Sequence, residues 1–310
     1  MSETVSRSGF VSGFVSIVGR PNAGKSTLLN ALVGQKIAIT ARQPQTTRTS
    51  LQGVVTTPEA QIIFVDTPGI HKSDTLFNKR MMSSVRAALE GRDLILFLAD
   101  ATKAINEEDQ HAVSALPQGV PALLVLNKID RLEDKRKLLG LIEDYAKLHA
   151  FAESVPVSAR RKDGLEVLKR TIIKYLPEGP PVFPQDYLTD QPMRFLAGEL
   201  IRERILHTVH QEVPHAAAVL IDSWEETPKL VKVAATIYVE RPGQKAILIG
   251  AKGANLKKIG TEARQELEQM LDRKVFLSLF VKVQPDWRDD PTFLKTIDWR
   301  SMLGSEESSI

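Results

Sequence analysis

The chain has 310 residues, of which 43% are hydrophobic and 25% charged, the balance of a globular protein long enough for two domains. It has no cysteine and a formal net charge of only +3, which excludes disulfides and thiolate metal sites and means that nucleic-acid binding would require local clusters of charge. The N-terminus lacks an apolar signal region and no apolar run approaches the roughly 18–20 residues that span a bilayer, so we expect a cytoplasmic protein.

Short apolar runs alternate with amphipathic stretches in the first half of the chain. Continuous apolar strands separated by helices are typical of a mainly parallel sheet with helices on both faces. We therefore expect an N-terminal tail over residues 1–13 and an α/β domain over residues 14–178. The runs of strand length are 14–19, 61–66, 93–100, 121–127 and 154–159.

The segment GRPNAGKS at 19–26 fits the pattern G-x-x-x-x-G-K-[ST] between a predicted strand and a helical pattern from Ser26 to Val33. Glycines at these spacings let backbone N–H groups turn toward phosphate oxygens. Lys25 adds a charge at the β- and γ-phosphates, and Ser26 offers a hydroxyl to Mg²⁺. The pattern predicts a P-loop NTPase fold with nucleotide contacts from Gly19, Arg20, Pro21, Asn22, Ala23, Gly24, Lys25, Ser26 and Thr27.

Asp66-Thr67-Pro68-Gly69 stands at the end of an apolar run. There a carboxylate can hold Mg²⁺ through water, and the N–H of Gly69 can reach the γ-phosphate.

Asn127-Lys128-Ile129-Asp130 ends a later run and predicts the choice of base. The carboxylate of Asp130 can accept hydrogen bonds from N1–H and the 2-amino group of guanine, and adenine has neither donor. Ser158-Ala159 follows another run, where a backbone N–H could donate to guanine O6. This series of motifs predicts GTP rather than ATP.

In this order the motifs resemble the translation-factor-related small GTPases, over about residues 14–176. The resemblance implies that Thr47, in Gln45-Thr46-Thr47-Arg48, closes onto Mg²⁺ when γ-phosphate is present; we choose it over Thr46 because it directly precedes Arg48. Residues 66–79 would form the second switch, and γ-phosphate would set the order of both switches. Implied metal ligands are Ser26, Thr47 and Asp66, and implied catalytic residues are Lys25, Asn22, Thr47 and Gly69.

Ile70 departs from the pattern, because a water-orienting glutamine would stand there. Isoleucine cannot position water, so we expect slow intrinsic hydrolysis. Related GTPases place an asparagine at the position of Asn22 to help hold K⁺ beside the phosphates, which predicts stimulation by K⁺ over Na⁺. The alternative is that Asn22 only shapes the loop.

The segment 179–192 carries four prolines and no helical periodicity, which predicts a linker over residues 179–191 before a second domain over 192–286. A helix is expected from about Gln191 to Glu212 with Asp190 as its cap. Strict alternation over 230–239 and 275–283 predicts strands of an antiparallel or mixed sheet.

The second glycine loop, Gly250-Ala251-Lys252-Gly253, has no G-K-[ST] ending and therefore no P-loop register. Five basic residues and no acid lie between Glu240 and Glu262. A G-x-x-G loop before an amphipathic helix, within this order of elements, matches a KH module of the prokaryotic type II arrangement, which grips about four unpaired nucleotides. Alternatives are a tight turn with a basic face or a module for protein contacts. Predicted RNA contacts are Ile249, Gly250, Ala251, Lys252, Gly253, Leu256, Lys257 and Lys258, and Ile259 is expected to add to the apolar floor for bases.

An α/β GTPase domain followed by an α+β KH domain resembles the Era-like GTPases over about residues 14–285. The resemblance implies binding near the 3′ end of 16S ribosomal RNA, a role in 30S subunit assembly, GTP/GDP and Mg²⁺ as cofactors, and peripheral association with the inner face of the cell membrane. The expected state is a monomer. Alternatives are a GTPase acting on another RNA such as tRNA, or an RNA-binding adaptor regulated by GTP.

Three other features have simpler interpretations. Glu107-Glu108-Asp109 is expected to start a helix, and His207, His210 and His215 lack the partners of a metal site. Within the C-terminal tail, residues 287–310, Trp287 and Trp299 are expected to anchor the tail to the second domain rather than to stack on RNA.

Overall fold

The computed structural model describes residues 9–41, 46–69, 75–209 and 213–298, with the backbone alone at His215. Five residues named in the sequence analysis lie outside these ranges, namely Gln45, Ile70, His210, Glu212 and Trp299. The chain divides into two compact units, of which the first comprises residues 1–37, 47–72 and 82–190, and the second residues 38–46, 73–81 and 191–310.

The first unit contains the predicted α/β sheet, in the strand order β2-β3-β1-β4-β5-β6. The pairs β1–β3, β1–β4, β4–β5 and β5–β6 are parallel, and β2 pairs antiparallel with β3. Residues 76–81, the N-terminal part of α2, belong to the second unit. The elements are β1 (Val11–Val18), α1 (Lys25–Val33), β2 (Leu51–Thr56), β3 (Ala60–Asp66), α2 (Leu76–Leu89), β4 (Leu94–Asp100), α3 (Glu107–Ser114), β5 (Ala122–Asn127), α4 (Lys137–Ala146), β6 (Glu153–Pro156) and α5 (Leu165–Tyr175).

The central strands are buried on both faces, as the continuous apolar runs predict. Every residue of β4 and β5 is buried. Phe97 and Leu124 pack on one face with Val85 of α2, Val113 of α3 and Tyr145 of α4. The strand β2 was not predicted, and at its Gly53 an added Cβ would lie 2.9 Å from the side chain of Leu29. A larger residue at this position would require the side chains of α1 that cover β2 to shift.

The proline-rich segment after α5 is fixed to the first unit rather than free of it. Gln61 of β3, fully buried, accepts hydrogen bonds from the N–H groups of Val182 and Phe183 at 2.7 and 2.9 Å. The N–H of Gln52 donates to Asp190 at 2.9 Å. Asp190 therefore binds β2 and does not cap the next helix, whose N-cap is Pro192. The predicted cap is wrong because a strand edge binds the carboxylate instead.

The second unit contains a mixed sheet in the order β7-β8-β9, in which β7–β8 is antiparallel and β8–β9 parallel. The alternating residues of β8 from Val231 to Val239 are buried, as predicted, beneath α6, α8 and α9. The first helix is shorter than expected and ends at Thr208. The elements are α6 (Met193–Thr208), α7 (Val213–Ala216), β7 (Ala218–Glu226), β8 (Leu230–Val239), α8 (Pro242–Ile249), α9 (Ala254–Leu271), β9 (Lys274–Val283) and α10 (Pro291–Thr296).

Trp287 anchors the segment after β9, as expected. Its side chain is fully buried, its indole N–H donates to the carbonyl of Ala216 at 2.8 Å, and its ring centroid lies 5.4 Å from that of Phe77. A buried indole with its N–H satisfied stabilises the packing of the segment on β7.

Two segments from the early part of the chain belong to this second unit. In the segment 38–46, the N–H of Thr40 donates to Glu203 of α6 at 2.7 Å, and the guanidinium of Arg202 donates to the carbonyl of Thr46. In the segment 73–81, the N–H of Leu76 donates to Asp289 at 2.8 Å. Residues directly before Thr47 and residues after the Asp66 motif thus pack with the C-terminal half. Among the residues described, no helix combines the length and apolar character that a bilayer crossing requires.

Candidate functional site

The first glycine loop lies between β1 and α1, as predicted. Gly19 has φ +147°, and a Cβ there would stand 2.3 Å from the carbonyl oxygen of Leu98. Gly24 has φ +103°, and a Cβ there would stand 2.4 Å from the side-chain amide of Asn127. Both positions therefore require glycine, and the loop leads directly into the N-terminus of α1, where backbone N–H groups and the helix dipole favour an anion.

Lys25 is buried inside this loop. Its Nζ donates to the carbonyls of Gly19 and Arg20 at 3.0 and 3.1 Å. Burial lowers the pKa of Lys25 to about 8, and the nearby Asp66 acts in the opposite direction. A buried ammonium that donates to loop carbonyls, in a loop shaped for anions, matches the predicted phosphate contact of Lys25.

Ser26, Thr47 and Asp66 converge beside Lys25. Asp66 Oδ2 accepts hydrogen bonds from Ser26 Oγ at 2.8 Å and from Thr47 Oγ1 at 2.9 Å, and the two hydroxyls are 2.8 Å apart. Asp66 Oδ1 is buried and has no hydrogen-bond partner among the residues that the structure describes, and burial raises the pKa of Asp66. Two hydroxyls and a carboxylate, one of whose oxygens is unsatisfied, form the set of hard oxygen ligands that Mg²⁺ prefers.

The residues after Asp66 lie against the phosphate loop. Thr67 Oγ1 donates to the carbonyl of Ile17 at 2.9 Å, and Pro68 is buried. At Gly69 a Cβ would stand 2.9 Å from Cγ of Pro21, so a larger residue would displace the loop. Gly69 is thus brought next to the phosphate loop, and Ile70 lies outside the described residues.

The predicted base-binding residues meet at the ends of β5 and β6. The Asn127 amide donates to the carbonyl of Ala23 at 2.9 Å, and its oxygen accepts from the N–H of Ala159 at 3.0 Å. Asp130 accepts from the hydroxyl of Ser158 at 2.7 Å, and the N–H of Ser158 donates to the carbonyl of Asp163 at 3.0 Å. The backbone N–H groups of Ser158 and Ala159, the two predicted donors to guanine O6, therefore both form hydrogen bonds within the protein. Contact with a base would require one of these hydrogen bonds to be shared or exchanged.

Lys128 joins the base-binding motif to the phosphate loop. Its Nζ donates to the carbonyl of Asn22 and to Asp100 Oδ2, both at 2.6 Å. Burial would raise the pKa of Asp100, but hydrogen bonds from Lys128 and Thr102 outweigh it and hold the pKa below its usual value. Asp100 was not predicted as the partner of Lys128, although its position at the end of an apolar strand could have indicated it.

Arg20 turns away from Lys25 and binds a carboxylate of α3. Its guanidinium donates to Asp109 at 3.0 Å, and both side chains are buried. Asp109 also completes a capping box with Asn106, so the predicted helix start at 107–109 is confirmed. Asn22, by contrast, is exposed with φ +61°, a conformation that asparagine tolerates, and Thr27 lies in the first turn of α1.

The second glycine loop joins α8 to α9 in the other unit. Gly250 and Gly253 have φ of +72° and +79°, and Lys252 between them has φ +50°. A Cβ on Gly250 would stand 2.8 Å from the side chain of Asn255, whereas nothing lies within 4 Å of a Cβ on Gly253. The backbone is therefore tightly folded on one side and open on the other. The predicted lysines at 252, 257 and 258 are exposed, as is Ala251, and Ile249 is half-buried.

A groove of about 420 Å³ opens beside this loop. Leu256 and Lys257 line it, as predicted, but Ile259 is fully buried in the core and does not. Sequence reasoning missed five lining residues, three on α9 and two on β9, although spacings of three and four along α9 place the three helical ones on the face of Gly253. The lining residues are Gly253, Leu256, Lys257, Gly260, Thr261, Arg264, Leu277 and Leu279.

Within the described residues, no group of three or more His, Cys, Asp or Glu side chains could hold a metal ion. The cluster at Ser26 differs because two of its three side chains are hydroxyls.

The comparisons with known proteins match both units. Residues 14–128 match the family described as 50S ribosome-binding GTPase, and residues 212–288 match the KH domain. The chain is 46% identical to GTPase Era of Ruminiclostridium cellulolyticum and 48% identical to GTPase Era of Geobacter metallireducens. Each match covers 94% of this chain and 98% of the relative.

Two solved structures are similar over nearly the whole chain. One is Era in complex with MgGDPNP and nucleotides 1506–1542 of 16S ribosomal RNA, with a TM-score of 0.91 and 42% identity. The other is a single-residue variant of Aquifex aeolicus Era bound to GDP and AlF₄⁻, with a TM-score of 0.90 and 41% identity. Each covers 94% of this chain and 99% of the solved chain. The predicted order of a P-loop GTPase domain and a KH domain is thereby confirmed, and the chain belongs to the GTPase Era family.

Proposed function

We propose that this protein is a GTP-hydrolysing switch that binds the 3′ region of 16S ribosomal RNA through its KH domain and assists assembly of the 30S subunit. The observation that carries the proposal is the convergence of Ser26, Thr47 and Asp66 beside the buried Lys25. The relative bound to MgGDPNP and 16S ribosomal RNA supports the two ligands.

Mg²⁺ fits the oxygen cluster because Asp66 Oδ1 is buried and finds no partner in the described parts of the chain. Ser26, Thr47 and Asp66 would hold the ion, which neutralises charge on the β- and γ-phosphates when bound. Lys25 exchanges its loop carbonyls for phosphate oxygens, and the N–H of Gly69 donates to the γ-phosphate. Each of these donors is positioned by the fold before the reaction, so little reorganisation accompanies hydrolysis.

Guanine is selected at the other end of the site. Asp130 accepts from N1–H and the 2-amino group, while Asn127 and Lys128 hold the two halves of the site together through the carbonyls of Ala23 and Asn22. Ser158 orients the carboxylate of Asp130 by its hydroxyl. Asn22 is exposed and helps to hold K⁺ next to the phosphates.

Nucleotide state is transmitted through the two switch segments. Thr47 contacts the oxygen cluster, and the carbonyl of the preceding residue, Thr46, is bound by Arg202 of α6. A change at Thr47 therefore reaches α6 through a single peptide bond. We place the domain boundaries at residues 14–178 and 192–286, and the protein in the cytoplasm with peripheral contact to the inner membrane face.

Binding of GTP above pH 8 is expected to take up protons. With a pKa of about 8, Lys25 is mostly neutral in the free protein at pH 8.5, and adjacent phosphates favour its charged form. The expected uptake is clearly larger at pH 8.5 than at pH 7, where Lys25 is already mostly protonated. Calorimetry in two buffers of different ionisation enthalpy measures it, and a binding heat at pH 8.5 that does not depend on the buffer contradicts the assignment.

A direct assay of the full-length protein tests the proposed function. We expect GTP to be hydrolysed slowly and ATP not at all, KCl to give a faster rate than NaCl, and RNA of nucleotides 1506–1542 to bind more tightly than tRNA. Preference for tRNA would favour the alternative GTPase, and RNA binding without hydrolysis would favour the adaptor. Equal rates in the two salts would leave Asn22 a purely structural role.

A further inference from the structure

The strand β9 has two different faces. It lies at the edge of the sheet, and its inward residues Leu277 and Leu279 line the groove. Its outward residues have an alternation of their own, with two phenylalanines between two lysines. Phe276 and Phe280 are 60% and 61% exposed, although large apolar side chains on a sheet are ordinarily covered. The outward residues are Lys274, Phe276, Ser278, Phe280 and Lys282.

The surface between the two rings is flat. In the register of β8 and β9, Ser278 pairs with Ala234, and Phe280 with Thr236. The side chains of Ser278, Ala234 and Thr236 are small, so they do not project between the two rings. Four residues along a strand separate Phe276 from Phe280 by about 13 Å. Adjacent stacked bases rise only about 3.4 Å, so two rings at this spacing would meet bases that are not neighbours.

The chain covers the same face at its other end. There Tyr238 of β8 packs on Phe293 of α10, with ring centroids 4.9 Å apart, and Ala218 is buried with Trp287 and Leu294. The residues after β9 therefore cover the aromatic surface at one end of the sheet and leave the phenylalanine pair open.

Three lysines and three acids lie around the pair, and the two lysines of β9 flank the rings along the strand. Lys232, which pairs with Phe276 across the register, lies 3.7 Å from Glu225, and Lys274 lies 3.7 Å from Glu268. Both lysine side chains are more than half exposed, so these ion pairs are weak and readily exchanged. Lys282 forms no ion pair with any described residue. Asp222, an acid on this face, accepts a hydrogen bond from the hydroxyl of Thr236 at 2.7 Å.

We propose that the outward face of β9 is a second RNA-binding surface, which takes up the single strand as it leaves the groove over the free edge of β9. Phe276 and Phe280 stack on bases, and Lys274 and Lys282 bind phosphates. Exposed rings bracketed by lysines suit single-stranded RNA, because every base has a stackable face and every linkage a negative charge. This inference rests on the proposed RNA-binding function and extends the contact beyond the roughly four nucleotides that a KH groove holds.

Two RNA lengths separate this surface from the groove. Fluorescence anisotropy would measure binding of the full-length protein to 4- and 12-nucleotide single strands from the 3′ part of nucleotides 1506–1542. For the double variant Phe276→Ala/Phe280→Ala we expect 12-mer affinity to fall about 10- to 100-fold, and 4-mer affinity to stay unchanged. Phe276→Tyr/Phe280→Tyr keeps the rings and should bind as the wild type does. Leu139→Ala, at another exposed apolar side chain, is the matched control.

The charge contribution has its own measurement. Lys282→Gln should lower the slope of log affinity against log salt by about 0.7 for the 12-mer, with no change for the 4-mer. Equal 12-mer affinity of the double alanine variant and the wild type overturns the inference. Failure of the wild type to bind either length instead removes the proposed RNA function.

Crosslinking identifies what covers the face. With the photoreactive p-benzoylphenylalanine at position 280, a crosslink to the 12-mer supports the inference. A crosslink to residues 299–310 of the same chain, or to a second copy, overturns it.

Discussion

Replacement of Asp130 by asparagine is expected to weaken GTP binding by at least about 100-fold and to make XTP the better ligand. The carboxylate accepts two charge-assisted hydrogen bonds from guanine in the proposed complex, each contributing about 1.5–3 kcal/mol. An amide turns one acceptor oxygen into a donor, which faces the 2-amino group of guanine unfavourably but suits the carbonyl of xanthine at that position. Titration with fluorescent derivatives of GTP, XTP and ATP measures the exchange.

A second aspartate between β5 and α4 provides the control for Asp130→Asn. Asp134 pairs with Arg136 at the surface, and its side chain is 38% exposed. Asp134→Asn makes the same chemical change a few residues away and should leave all three affinities as they are. Gain of XTP binding also shows that the Asp130→Asn protein is folded. Unchanged GTP affinity in that variant would remove the base-recognition argument.

Replacement of Gly253 by aspartate is expected to reduce RNA affinity by at least about 30-fold while GTP affinity stays unchanged. The glycine lines the groove, and nothing lies within 4 Å of a Cβ built there, so the new side chain meets no protein atom. Its φ of +79° is one that aspartate tolerates better than most residues. The loss is therefore assigned to a negative charge placed where phosphates approach the backbone. Anisotropy with RNA of nucleotides 1506–1542 and a parallel nucleotide titration measure the two affinities.

Two variants isolate the charge from the shape. Gly253→Asn has nearly the same size and backbone preference as aspartate without its charge, and we expect a smaller loss of RNA affinity. Gly243→Asp adds the same charge in the first turn of α8, also with no atom within 4 Å of the new Cβ, and should bind RNA normally. Equal RNA affinity for Gly253→Asp and the wild type would show that this loop does not grip RNA.

The local motifs were predictable because each is a short stretch whose chemistry depends on spacing. The phosphate loop needs glycines at 19 and 24 for its backbone, and the structure gives both a positive φ with no room for a side chain. The strands β8 and β9 were predicted for the same reason, since period-two alternation is a local property of a half-buried strand. Thr47 was selected over Thr46 by its place before Arg48, and Thr47 is the one whose hydroxyl lies 2.9 Å from Asp66.

Contacts between distant segments were not predictable in this way. Nothing near Gln61 in the sequence indicates that its side chain fixes the proline-rich segment more than 100 residues later. Asp190 has the composition of a helix cap, but β2, absent from the predicted elements, binds it. The strand β2 escaped prediction because a glycine and two polar residues interrupt its apolar pattern, and α1 covers it only in three dimensions.

The sequence by itself determined the two glycine loops, the guanine-binding motif as a prediction, and the order of a GTPase domain and a KH domain, because each depends on residues a few positions apart. The tertiary structure alone decided which distant groups complete those loops. It placed Asp100 beside Lys128, left one oxygen of Asp66 buried without a partner among the described residues, and brought Leu277 and Leu279 against the groove beside Gly253. Those outcomes depend on strand order and register, which bring together side chains that the chain itself keeps far apart.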